Sequence, residues 1–143
     1  PAYIDKKDLN ECSGLILGSP THFGNMSAEL KYFFDSTSNE WLNNTLSGKP
    51  AGLFTSSQSQ HGGQETTLLT MAIPLIHHGM LITGIPYSTK ELSTTTGGGS
   101  PYGPSHVSSG DSKNGLTDDE IVIARTLGKR IASIALKLNP NQS

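Results

Sequence analysis

Two short loops hold the residues best suited to chemistry. Residues 19–25, SPTHFGN, and residues 56–63, SSQSQHGG, each follow a short apolar run and lead toward an amphipathic stretch. Open α/β sheets bind ligands in the crevice beyond the carboxyl ends of their strands, where loops of this kind meet. Both loops are rich in small residues, so backbone N–H groups can approach a ligand closely. Phe23, and Trp41 further along, offer flat apolar surface nearby. These materials suit a planar heteroaromatic ligand with polar edges. The competing reading is a pair of ordinary turn loops. Other chemistries lack their motifs. Cys12, His22, His61, His77 and His78 show no C-x-x-C, H-x-x-x-H or H-E-x-x-H spacing, so no metal site is expected. No G-x-S-x-G elbow is present, and TGGGSPYG at residues 96–103 lacks the lysine of a phosphate-binding G-x-x-x-x-G-K-[ST] loop.

The elements that must position these loops follow from hydrophobic patterning. Residues 12–18, CSGLILG, read as a short buried strand of a parallel sheet. Asn25 is the expected cap of the next helix, whose Met26, Leu30, Phe33 and Phe34 recur at i, i+4, i+7 and i+8. Residues 38–50 form a connector carrying Trp41, and residues 51–57 a second strand. A helix is expected over residues 64–78, stopped by Gly79, with a kink or a late start because Pro74 lies inside it. Residues 80–86 read as a third strand, and residues 87–115 as a long loop without periodicity. The last helix opens on a Thr117/Glu120 capping box and places Ile121, Ala124, Leu127, Ile131, Ile134 and Leu138 on one face. Strands alternating with helices imply a parallel sheet with right-handed crossovers. Three strands make a thin one.

Composition narrows the partners. A chain of 143 residues suits one domain, taken as 1–143. The formal charge is −2, and no basic cluster exceeds Lys6-Lys7 or Lys129-Arg130, so no nucleic-acid partner is expected. One cysteine excludes an internal disulfide and fits a reducing, cytoplasmic setting. No apolar run approaches membrane-spanning length, and Pro1-Ala2-Tyr3 does not open a signal peptide.

Five motifs in fixed order carry a specific resemblance. GSPTHFGNMSAELKYFFD at residues 18–35, the Trp41 that follows, FTSSQSQHGGQETT at 54–67, HHGM at 77–80 and GGGSPYGPSHVSSGD at 97–111 are similar to the WrbA family of flavodoxin-like NAD(P)H:quinone oxidoreductases. The resemblance runs from residue 12 to residue 138. It implies an α/β fold, a flavodoxin-like parallel sheet with helices on both faces. It also implies a homotetrameric FMN enzyme that takes hydride from NADH or NADPH and passes two electrons to a quinone. Carried over by position, the flavin contacts fall on Thr21, His22 and Phe23 in the first loop. In the second loop they fall on Ser56, Ser57, Gln58, Ser59, Gln60 and His61, with Gly62 at the edge. His77 corresponds to a further flavin-site contact and Trp41 to an aromatic lining the substrate cavity. His22 departs from the pattern, since many relatives have Arg there.

The family opens with two strands that have no counterpart here, and the first carries the loop that holds the FMN phosphate. The expectation is a chain matching the C-terminal two-thirds of such a protein, with the phosphate site outside it. His77 ends a helix that starts beside the second loop, about 20 Å of helix away. The expectation is therefore that His77 reaches the flavin of a neighbouring subunit. Two further functions compete: a non-catalytic flavodoxin-like scaffold or binding protein, and a one-electron carrier flavodoxin.

Overall fold

The lengths of the apolar runs decide the sheet. The computed structural model describes residues 3–108 and 115–139. Strand β1 (Leu15–Pro20) lies parallel to β2 (Pro50–Ser57), in register from Leu15 opposite Ala51 to Pro20 opposite Ser56. At eight residues β2 is the longest strand, and the lane on its other side is filled in two pieces. β3 (Leu81–Ile82) pairs with the start of β2 at Pro50 and Ala51. β4 (Ser105–Val107) pairs with its end at Thr55, Ser56 and Ser57. All three pairings are parallel.

The split lane corrects the expected third strand over residues 80–86. The chain bonds to β2 as far as Thr83, whose N–H donates to the Ala51 carbonyl at 2.7 Å, and then leaves the sheet. It returns at Pro104, whose carbonyl accepts from Thr55 N–H at 3.1 Å. The limbs of this excursion are pressed together. A Cβ on Gly84 would lie 2.3 Å from the Pro101 carbonyl oxygen, and one on Gly103 would lie 2.2 Å from that of Leu53. Residues 87–115, expected to be one loop, contain the single helical turn α5 (Glu91–Thr94) as well as β4. Residues 109–114 of that stretch lie outside the described residues.

Helices cover both faces. Helices α1 (Lys6–Glu11), α2 (Ala28–Asp35), α3 (Ser38–Leu42) and α4 (Gln64–His77) lie on one side, and α6 (Asp118–Leu138) on the other. The larger core joins Leu9, Leu17, Phe34, Leu46, Leu53, Leu68, Met71 and Leu75. Each such side chain taken fully out of water contributes about 1.5–3 kcal/mol. The smaller core holds Ile85, Ile123, Leu127 and Ile131.

Local chemistry sets the helix ends. The cap of α2 is Ser27, whose hydroxyl accepts from Leu30 N–H, and not the expected Asn25. Asn25 instead closes the preceding turn. α4 starts at Gln64 and runs through Pro74, so the start is not late. The Thr117/Glu120 capping box opens α6 as expected. The buried stripe of α6 is turned from the expected one: Ile123, Leu127, Ile131 and Ala135 are buried, while Ala124 and Leu138 are exposed. Two anchors set that rotation. Glu120 is buried in the first turn, and Leu127 docks in the notch at Gly52, where a Cβ would come within 3.0 Å of its methyl groups.

One part of the sheet is open. On the α6 side, Ile16 and Phe54 are 40% and 48% exposed, and the Phe54 ring lies across Gly18. β1 has no partner on its outer edge among the described residues. A mainly apolar groove of about 470 Å³ runs from Gly18 and Phe54 to Leu116 and Ala124.

Candidate functional site

The carboxyl ends of β1 and β2 bring the two loops into direct contact. Thr21 N–H donates to the Ser56 carbonyl at 2.8 Å, continuing the β1–β2 ladder into the loops. The Thr21 hydroxyl donates to the Gly63 carbonyl at 3.2 Å and also meets the Thr67 hydroxyl. Thr55 Oγ1 donates to the Ser19 carbonyl at 2.8 Å, and Ser27 N–H to Ser19 Oγ at 2.9 Å. Where the loops cross, Gly24 and Gly63 both have left-handed backbone, with φ of 77° and 95°. A Cβ on Gly63 would sit 3.1 Å from Gly24 Cα, so no larger residue fits that crossing undisturbed.

The first loop presents an unusual tip. His22 and Asn25 exchange backbone hydrogen bonds of 2.8 and 3.0 Å, and Asn25 Oδ1 accepts from Met26 N–H at 2.8 Å. The resulting turn holds Phe23 at φ 52° with its ring fully exposed. An aromatic residue in left-handed backbone and in water is doubly disfavoured, and such strain collects at ligand-binding sites.

The second loop is built from within. The Ser59 carbonyl accepts from the Ser57 hydroxyl at 2.7 Å, from Gly62 N–H at 3.1 Å and from the buried Gln64 amide at 3.0 Å. Gln64 also donates to the Gln60 carbonyl at 2.8 Å. Of the two serines, Ser57 is buried and committed to the turn, while Ser56 is half-buried. Gln58, Ser59, Gln60 and His61 are exposed. Gln64 is a shaping residue that sequence reasoning missed. Its one signal is its position, the first residue of the helix directly after two glycines.

Behind the second loop lies Glu120, read in the sequence only as the capping partner of Thr117 and here 3% exposed. Its Oε1 accepts from Gly98 N–H at 2.9 Å and from Val107 N–H at 3.2 Å. Its Oε2 accepts from Thr117 N–H at 2.9 Å and from His106 Nδ1–H at 3.0 Å. Burial alone would raise its pKa. The hydrogen bonds from Thr117, His106, Gly98 and Val107 outweigh that and hold the carboxyl below its ordinary value. Glu120 thereby ties the glycine-rich turn at residues 97–99 and the end of β4 to α6. That turn and the second loop line a cavity of about 610 Å³, with Gln60, His61 and Glu65 on one wall and Thr95 and Ser100 on the other.

Trp41 and His77 form a separate group. The Trp41 indole N–H donates to the His77 carbonyl at 2.9 Å, at the C-terminal end of α4. The second loop is at the other end of that 14-residue helix, about 20 Å away at 1.5 Å per residue. Phe23 and Trp41, read together in the sequence as flat apolar surface near the loops, therefore stand at opposite ends of α4 within one chain. Leu69, Ile73 and Ile76 make an exposed apolar stripe between those ends. Among the described residues no helix is long and apolar enough to cross a membrane.

The sheet with helices on both faces and its paired carboxyl-end loops define a flavodoxin-like fold. A solved structure described as the flavodoxin, WrbA-like protein from Agrobacterium tumefaciens superimposes with a TM-score of 0.71 and 25% identity, covering 92% of this chain and 71% of that one. The chain belongs to the NADPH-dependent FMN reductase family, whose pattern matches residues 6–91. It is 43% identical to the NAD(P)H dehydrogenase (quinone) of Chromohalobacter salexigens over 94% of its own length and 68% of that protein. With the protein of the same name from Geotalea daltonii it shares 44% identity, over 92% of this chain and 65% of the relative. The chain spans about two thirds of the length of these curated relatives.

Proposed function

We propose that the whole protein is an FMN-dependent NAD(P)H dehydrogenase that reduces quinones by two electrons. The observation carrying this reading is the Thr21 bridge, which locks the two loops side by side at the carboxyl ends of neighbouring parallel strands. The residues fit the cofactor. The Gly24–Gly63 crossing gives a backbone surface without side chains, and Phe23 supplies an exposed flat ring beside it. Thr21, His22 and Phe23 would hold the flavin ring from one loop. Ser56, Gln58, Ser59, Gln60, His61 and Gly62 would hold it from the other, with the buried Ser57 fixing the turn beneath them. When bound, FMN would supply the redox chemistry, hydride transfer from NADH or NADPH and two-electron reduction of a quinone. The chain's part is to bind and orient. Its loops are already fixed by Gln64, Thr21 and Asn25, so little ordering opposes binding.

Trp41 is assigned to the wall of the substrate cavity and His77 to a flavin contact, both serving the site of a neighbouring subunit. The exposed Leu69, Ile73 and Ile76 support such association, with a homotetramer as the proposed assembly. The open Ile16–Phe54 face is assigned to a further strand along β1 and a helix that completes the phosphate site. Parallel sheets are covered on both faces, and the relatives are longer than this chain. The single thiol supports a reducing, cytoplasmic setting.

The test is spectroscopic. Whole protein purified with FMN is expected to be yellow, to bleach with NADH or NADPH, and to recover its colour on adding a quinone. Protein that takes up no FMN supports a scaffold instead, and colour that neither nicotinamide changes supports a one-electron carrier.

A further inference from the structure

The glycine-rich turn at residues 97–99 walls the cavity of about 610 Å³, and its composition suggests a cradle for a phosphate. Its bonding shows otherwise. Gly97 N–H donates to Thr95 Oγ1 at 3.2 Å, Gly98 N–H to Glu120 Oε1 at 2.9 Å and Gly99 N–H to Ser105 Oγ at 2.8 Å. The hydroxyls on that wall are spent as well. Thr95 donates to the Gly98 carbonyl at 2.9 Å and Ser100 to the Gly103 carbonyl at 3.2 Å. A wall whose donors are committed offers a ligand chiefly acceptors.

Across the cavity stand Gln60, His61 and Glu65. The exposed Glu65 carboxylate enters none of the ion pairs among the described residues. No Lys or Arg is among the described residues that line the cavity, and none occurs in residues 19–25 or 56–66. The N-terminus of α4 carries about half a positive charge, which the full charge of Glu65 in its first turn outweighs. An anionic group here would face a carboxylate with no fixed cation to offset it. A sugar diol, with two O–H donors, matches a carboxylate well. In dinucleotide-binding folds an acidic residue on the ribose hydroxyl accepts NAD, and the 2′-phosphate of NADP calls for an Arg.

The cavity lies on the β4 side of the second loop, away from β1, and shares Gln60 and His61 with that loop. Its volume is in the range of small-molecule sites, about 300–1,000 Å³. A quinone, flat and bearing only acceptor oxygens, finds little to bond on an acceptor wall. We propose that the cavity takes the adenosine end of the nicotinamide dinucleotide, with Glu65 as a specificity-determining residue. Its carboxylate accepts from the ribose 2′- and 3′-hydroxyls, so the protein uses NADH in preference to NADPH. This deepens the quinone-reductase reading and rests on the flavin lying between the two loops.

The test titrates FMN-loaded whole protein by calorimetry with ADP-ribose and with 2′-phospho-ADP-ribose, which carry the adenosine end without the reactive ring. ADP-ribose is expected to bind roughly tenfold or more tightly than its phosphorylated form. Glu65→Gln should cut that preference by about threefold or more, and Glu65→Lys should reverse it. In turnover the discrimination against NADPH should appear in KM and not in kcat. Both variants are expected to keep the circular dichroism of wild type, since the side chain is exposed. Should either fail to fold, the wild-type comparison decides alone. Equal affinity for the two ligands, no binding of ADP-ribose, or a preference unchanged in Glu65→Gln overturns the proposal. Flavin that bleaches equally well with limiting NADH and NADPH overturns it too, and leaves the reductase reading standing. Flavin that neither bleaches removes that reading, while the calorimetry still decides whether the cavity prefers ADP-ribose.

Discussion

Replacing Glu120 with glutamine should lower stability by about 3 kcal/mol at neutral pH. The side chain is buried and accepts four hydrogen bonds, two on each oxygen. In Glu120→Gln the amide oxygen can keep the Gly98 and Val107 N–H groups, though as neutral bonds weaker by about 1 kcal/mol in total. The new NH₂ group then faces Thr117 N–H, a donor against a donor, and a buried donor left unpaired costs about 1–3 kcal/mol. His106 escapes the conflict by offering its Nδ1 lone pair. For a domain of this size each kcal/mol moves the melting midpoint by about 3–4 °C, so a fall of roughly 10 °C is expected by circular dichroism. The pH dependence carries a second check. The folded pKa of Glu120 is depressed, so its contribution is complete above the ordinary carboxylate range and is lost as pH falls through the folded value. The gap between wild type and variant should therefore narrow in acid. Midpoints within 2 °C of each other at neutral pH, or a gap that widens on acidification, would refute the reasoning.

Three other outcomes are expected. Leu53→Ala, at a side chain 2% exposed in the centre of the sheet, should cost about 2–5 kcal/mol in denaturant unfolding. Phe54→Ser, at a ring already half-covered across Gly18, should cost residues 1–143 about 1 kcal/mol, and the whole protein roughly twice that with the open face covered as proposed. Equal effects in both would sink the assignment of the open face. His77→Ala should abolish quinone turnover while the melting midpoint stays within a few degrees, since its side chain is exposed. Full turnover by the variant, or by a strictly monomeric wild type, would remove the shared-site proposal.

The long elements were legible because each repeats its signal. Leu30, Phe33 and Phe34 mark α2, though Met26 of the expected stripe precedes its cap at Ser27, and the Thr117/Glu120 box marks the start of α6 from both ends. The shortest elements repeat nothing. A strand of three residues at Ser105–Val107 and a helix of four at Glu91–Thr94 hold too few positions for any period to show. The split of the third lane was hidden for a related reason. Leaving the sheet after Thr83 depends on the Gly84–Pro101 and Gly103–Leu53 approaches, contacts between residues far apart in sequence. The candidate site divided along the same line. Small residues in both loops pointed to a backbone-lined crevice, and adjacency of sequential strands brought the loops together. Gln64, and the burial of Glu120 behind its capping role, stayed hidden because a polar helix-start residue normally faces water, and only the fold shows that these two are buried.

The loop pairing can be tested most directly by titrating FMN into whole apo-protein, wild type beside Gly63→Val, and following flavin fluorescence. At φ 95° and 3.1 Å from Gly24 Cα, a branched side chain at this position forces the two loops apart. Saturable binding by wild type, weakened at least tenfold in a variant with unchanged circular dichroism, is the result expected of a flavin held between the loops. Equal affinity in the two proteins would place the flavin elsewhere and contradict the account.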